Sequence, residues 1–302
     1  MRDENDPFNL PDRGFIDLFR LNKDLVSYLF RKLVPHMSES LRVTKITREI
    51  RIFIALRFFC TGNYQRGIGE EFLLSSSQQV VSRCIVEVSE AITENISEEW
   101  IIFPTTEERK LDIKRRGFME KAGFLGIIGC IDCTHVAILA PTDQEHNYVN
   151  RKEIHSKHVQ IVCSFNLEIL SERNTWLIGD SGYPLQPWLL TPFENPLPDT
   201  PESRYNYDHK ITRSDVERYN AYFKERFRCV SGERNLRYAP DKVGRIVNSC
   251  AILHNMCIRA GIEIIIDEFE KIDVPNGNEY VPNVVLNEGR QVQQDVVNRY
   301  FR

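Results

Sequence analysis

Apolar residues recur at helical spacing through the first hundred positions, then gather into short strand-like runs. Between 15 and 37, Phe15, Leu18, Phe19, Leu21, Leu25, Leu29, Phe30 and Leu33 follow the repeat of an amphipathic helix. A second helix is predicted over 44–61, carrying Ile46, Ile50, Ile52, Ile54, Ala55, Phe58 and Phe59, with Gly62 as its stop signal. A short helix near 65–72, the polar break Ser75-Ser76-Ser77 and a helix over 78–96 follow. Segment 100–121 reads as a linker and a basic helix. From Phe124 the pattern changes: 124–139, 159–167 and 176–180 predict strands. Helices are predicted over 212–228 and 243–258, and a short one over 292–301.

This order predicts an all-α domain over 1–121, an α/β domain over 122–260 and an acidic tail over 261–302. The helices flanking the serine break read as a helix-turn-helix at 65–96. Gln78, Gln79 and Arg83 would then open a recognition helix and face DNA. An ordinary pair of packed helices is the competing reading.

Composition narrows the class. The 302 residues are 42% hydrophobic and 27% charged, enough for a real core. The charged N-terminus shows no secretory h-region, and no apolar run reaches the ~18 residues of a membrane span. Eight cysteines fall mostly within apolar stretches, which suits buried thiols better than a disulfide frame. The net charge of −4 argues weakly against nucleic acid, but it hides a polarity. Residues 204–245 hold eleven Lys and Arg against six Asp and Glu, whereas 261–290 hold seven acids against two bases.

Three acidic residues carry the candidate chemistry. Asp132 lies in Gly129-Cys130-Ile131-Asp132-Cys133-Thr134-His135, at the end of an apolar run where a lone carboxylate is costly unless bonded or metal-bound. Asp180 lies in Gly179-Asp180-Ser181-Gly182-Tyr183-Pro184, where a turn alone would explain it. Glu217 lies in Ser214-Asp215-Val216-Glu217, which also fits a capping box. An apolar stripe of Val216, Tyr219, Phe223 and Phe227 runs beside a polar one of Arg213, Glu217 and Lys224. Two strand carboxylates and one helix carboxylate suit hard Mg²⁺ or Mn²⁺ and two-metal phosphoryl transfer, with Arg213 and Lys224 available to phosphate. Cys130-x-x-Cys133 with His254-x-x-Cys257 could be read as zinc ligands, but strand alternation sends the first two cysteines to opposite faces.

The ordered words resemble the PIF/Harbinger transposase superfamily over nearly the whole chain. They include Leu56-Arg-Phe-Phe-Cys-Thr-Gly-Asn-Tyr-Gln, Gly129–His135, Tyr148-Val-Asn-Arg-Lys-Glu-Ile-His-Ser, Gly179–Leu185, Leu190-Thr-Pro-Phe, Lys224-Glu-Arg-Phe-Arg-Cys and Leu253-His-Asn-Met. The resemblance implies an RNase H-like nuclease domain with the triad Asp132, Asp180 and Glu217 and a divalent metal cofactor. It implies cleavage of DNA phosphodiester bonds, and the 36 residues between Asp180 and Glu217 suit its last strand-to-helix crossing. Asn150, Arg151, Lys152, His155 and Ser156 match a family motif that could contact phosphate. The resemblance further implies action in the nucleus, with the cytoplasm as the alternative, and a separate Myb/SANT-like DNA-binding partner protein. The competing reading is a domesticated or decayed derivative that binds DNA or a protein without cutting.

Two departures stand out. At 165–176 the family usually inserts several tens of residues, supplying a third strand and the first core helix. Here the chain passes almost directly to the Asp180 strand, which is expected to expose apolar surface and uncouple the two aspartates. Asn220 and Ala221 stand where the family tends to have an apolar residue and glycine.

Overall fold

The structure, a computed structural model, describes residues 6–39, 46–63, 65, 68, 77–102, 126–163, 176–232, 235–263 and 287–301. In chain order its longer elements are α1 (Asp12–Phe19), α2 (Lys23–Leu33), α3 (Arg48–Thr61), α4 (Gln78–Trp100), β1 (Ile127–Ala137), β2 (Ser156–Cys163), β3 (Trp176–Ile178), β4 (Leu189–Leu190), α5 (Pro201–Arg226), α6 (Pro240–Arg259) and α7 (Asn287–Tyr300). They form two compact units: Met1–Ile101 with His135–Val159 and Tyr222–Ile265, and Ile102–Thr134 with Gln160–Ala221 and Ile266–Arg302. No described helix is long and apolar enough to cross a membrane.

The first unit is helical at its core. α4 packs along α6 and α3. Phe8, Phe15, Phe19, Phe30 and Phe53 form an aromatic cluster, with Phe19 and Phe53 rings 4.8 Å apart. The single helix expected over 15–37 is broken. Arg20 adopts a left-handed conformation, φ 61°, and Asn22 caps α2 by accepting from the Leu25 N–H. Leu21 still points into the core, so the apolar spacing runs through the break unmarked. α3 starts four residues later than expected, where Thr47 accepts from the Ile50 N–H. It ends at Gly62, φ 60°, where a Cβ would stand 2.9 Å from the Arg228 carbonyl oxygen.

Most of the first helix of the expected helix-turn-helix lies outside the described residues, as do the basic segment 103–121 and the tail 264–286. The second helix is present as α4 and runs on to Trp100.

The second unit is built on a sheet with strand order β2-β1-β3-β4. β1 pairs with β3 in parallel, Cys130 opposite Ile178, and β3 pairs with β4 in parallel. Asp132 and Asp180 each lie two positions beyond the Cys130–Ile178 pair. Asp132 therefore lies within β1 and Asp180 just past the carboxyl end of β3, on neighbouring parallel strands. The short connection does not uncouple them as expected, because β3 docks directly on β1. The connection itself, 164–175, lies outside the described residues.

α5 begins well before the expected residue 212. Thr200 accepts from the Ser203 N–H, and Pro201, which lacks the N–H a first turn cannot use, opens the helix. Its early turns lie on the sheet. Tyr205 donates to Thr191 O, His209 reaches Leu190 O, and the Cys130 thiol donates to Thr212 O. α7 is tied to the same place through Gln293, which donates to Thr191 O at 2.6 Å. The early start removes one reading of Glu217. Ser214 is in mid-helix with its hydroxyl on Ile211 O, so there is no helix N-terminus for Glu217 to cap.

Candidate active site

All three candidate carboxylates belong to the second unit. Asp132 leaves β1 on the face that α5 covers, and its side chain keeps 17% of its exposure. Asn220 donates Nδ2 to Asp132 Oδ2 at 3.0 Å. One nitrogen of Arg213, Nη2, stands 3.1 Å from Glu217 Oε1 and 3.7 Å from Asp132 Oδ1. Asp180 is half-buried, and its Oδ1 accepts from the Gly182 N–H at 2.9 Å. The turn that would explain Asp180 by itself is thus present.

The electrostatics tie the group together. Burial raises the Asp132 pKa from its ordinary value. Arg213 and the Cys133 backbone N–H pull it down, while Asp180 and Glu217 push it further up. Each of the other two carboxylates is therefore felt at Asp132. A buried carboxylate resisting ionisation, as Asp132 does, is what a cation relieves.

The donor set fits a hard divalent ion. It offers carboxylate oxygens and one buried amide oxygen, Asn220 Oδ1, which accepts no hydrogen bond. A cationic nitrogen already bridges Asp132 and Glu217, so the place between them favours positive charge. In this arrangement no group of three or more His, Cys, Asp or Glu among the described residues stands at metal-holding distance. The zinc reading also fails on direction. Cys130 turns to Thr212 O, whereas exposed Cys133 accepts from the Tyr183 hydroxyl.

The remaining candidates fall elsewhere. Asn150 folds its own turn: Oδ1 accepts from the Lys152 and Ile154 N–H groups and Nδ2 donates to Ser156 Oγ. Arg151 and Lys152 stand exposed on that turn, and with Lys224 they help hold the His135 pKa down, after burial and His158. These residues belong to the first unit. So do Gln78 and Gln79, exposed in the first turn of α4, and Arg83. Arg83 lines a cavity of about 960 Å³ together with Glu87, Glu90 and Glu94, of which Glu87 pairs with Arg51 and Glu90 with Arg245. Asn220 was visible in the sequence only as a departure at one position, and its helical spacing from Glu217 was the one available signal.

Comparison with known proteins bears on this group. The profile described as "DDE superfamily endonuclease" matches residues 166–255, which include Asp180 and Glu217. The chain is 31% identical over 287 residues to the protein named "Putative nuclease HARBI1" of Homo sapiens, covering 85% of this chain and 80% of that protein. The rat protein of the same name is 32% identical over the same span. "Protein ALP1-like" of Arabidopsis thaliana is 25% identical over 255 residues, covering 69% of this chain and 60% of that one. The human match counts more positions than 85% of a 302-residue chain can fill, so that relative carries residues this chain skips. No solved structure matches the chain significantly.

Proposed function

The chain belongs to the HARBI1 family of Harbinger transposase-derived proteins, with a DDE superfamily endonuclease domain, and from that premise we propose that it is a metal-dependent DNA endonuclease acting through Asp132, Asp180 and Glu217. The observation that carries the reading is geometric: Asp132, on the strand beside the Asp180 strand, meets Glu217 across the single nitrogen Arg213 Nη2. Those side chains would hold Mg²⁺ or Mn²⁺. Such an ion, when bound, supplies Lewis acidity toward phosphate oxygens and lowers the pKa of water.

The chain's own groups divide the remaining work. Asp132 must be ionised to act as a ligand, and Arg213 and the Cys133 N–H favour that form against burial. The two aspartates lie on adjacent parallel strands, Asp132 within β1 and Asp180 just past β3. Glu217 faces them from α5. Arg213 can exchange its carboxylate partners for a phosphate oxygen, the contact a guanidinium matches best. On the first unit, Arg151, Lys152 and Lys224 would make sequence-independent contacts of their own with a nucleic-acid backbone. The same reading has the protein act on nuclear DNA beside a Myb/SANT-like DNA-binding partner.

A second reading, a derivative that binds DNA or a protein without cutting, is favoured by one observation. Arg213 Nη2 reaches both Asp132 and Glu217, which leaves the group closed by its own guanidinium. Nicking of supercoiled plasmid in Mn²⁺ separates the two. Nicking by the wild type that is lost in Asp132→Asn supports the endonuclease. Plasmid binding without nicking supports the second reading.

A further inference from the structure

Asn220 is the one polar group in contact with Asp132 that the endonuclease reading leaves unused. It follows Glu217 by three residues, so α5 presents Arg213, Glu217 and Asn220 along one side. Its Nδ2 holds Asp132 Oδ2 at 3.0 Å, and its Oδ1 is shut away from solvent without a donor. Stripping water from an amide oxygen and giving it no donor is unfavourable, and buried polar atoms of this kind are uncommon. The cost is relieved if a positive group comes to the oxygen. Both atoms belong to one amide group, so the orphaned oxygen lies beside the nitrogen that holds Asp132.

We propose that Asn220 is a further oxygen donor to a divalent cation held by Asp132 and Glu217, and that its nitrogen keeps the Asp132 carboxylate in place until the ion arrives. The chemistry selects a hard ion, Mg²⁺ or Mn²⁺, because an amide oxygen adds a neutral hard ligand to charged ones. This assignment rests on the endonuclease reading of the same site.

Mn²⁺ binding to the full chain, followed by the electron paramagnetic resonance of the free ion, tests it without reference to cleavage. Asn220→Leu keeps the side chain's size and removes both polar atoms; it should weaken Mn²⁺ binding about tenfold, with cooperative unfolding retained in EDTA. Asn220→Asp should bind the ion more tightly than the wild type, because it adds a charged oxygen. A residue that merely pegs Asp132 would lose affinity in both variants. Wild-type affinity in Asn220→Leu overturns the proposal. If that variant does not fold, Asn220→Asp decides, with tighter binding in support and weaker binding against. A wild type that takes up no Mn²⁺ overturns the site reading and this assignment together. Binding in the wild type that is indifferent to Asn220→Leu overturns the assignment alone.

Discussion

Arg213 Nη2 lies 3.1 Å from Glu217 Oε1, one helical turn away on α5, and the same nitrogen faces Asp132. A cation built into the chain therefore stands where a metal ion would have to compete. Arg213→Gln removes the competitor. Since the Glu217 side chain is 40% exposed, the lost pair should cost only about 0.5 kcal/mol of stability in EDTA. Mn²⁺ should bind several-fold more tightly at pH 8. A titration of the variant beside the wild type checks this, and weaker binding would mean that the guanidinium organises the carboxylates rather than blocking them.

Glu217 sits in mid-helix, so a capping role predicts the wrong phenotype. Glu217→Gln should leave helical content and melting temperature close to those of the wild type, because no helix end loses a partner. Plasmid nicking should fall by two orders of magnitude or more. A clear drop in helicity by circular dichroism would restore the structural reading.

The sequence showed a good part of this arrangement and hid the rest for physical reasons. The β1 and β3 runs are legible because each presents apolar residues just before its aspartate, although β1 itself runs on past Asp132 to Ala137. The stripe Val216, Tyr219, Phe223 and Phe227 is legible because all four are buried at helical spacing. The first three turns of α5 were not, because Pro201–Lys210 is mostly polar. Its inward side is Tyr205 and His209, which are held by hydrogen bonds to β4 and the residue after it. The break at Arg20 is concealed by Leu21, which keeps the apolar rhythm. The Asn220–Asp132 bond joins positions 88 residues apart, and no local pattern encodes such a contact.

Gly62 ends α3 in the left-handed region with no room for a side chain. Gly62→Ala should destabilise the first unit by about 1–2 kcal/mol, from the strained φ and the clash with the Arg228 carbonyl. Urea unfolding at constant m reads this directly. A variant as stable as the wild type would show that the Arg228 turn yields freely.

His209 is buried against Leu190 O, and its pKa is pushed down to about 4, chiefly by burial. The folded state therefore binds fewer protons than the unfolded state between about pH 4 and the ordinary value of about 6.5. The stability it protects is fully present above that window and drains as pH falls through it, by at most about 1.4 kcal/mol per pH unit. His209→Asn should flatten the fall in melting temperature between pH 7 and pH 5. An unchanged slope would assign the acid sensitivity to other groups, such as buried His254.

The most direct test of the site is thermal unfolding with Mn²⁺ or EDTA, performed on the wild type and on Asp132→Asn, Asp180→Asn and Glu217→Gln. A metal ion that binds only the folded chain raises its melting temperature in proportion to its affinity. The account predicts a Mn²⁺-dependent rise in the wild type that each of the three variants loses or sharply reduces, with EDTA melting little changed. A rise of equal size in Asp132→Asn would contradict it, because the ion would then be held somewhere other than the Asp132 group.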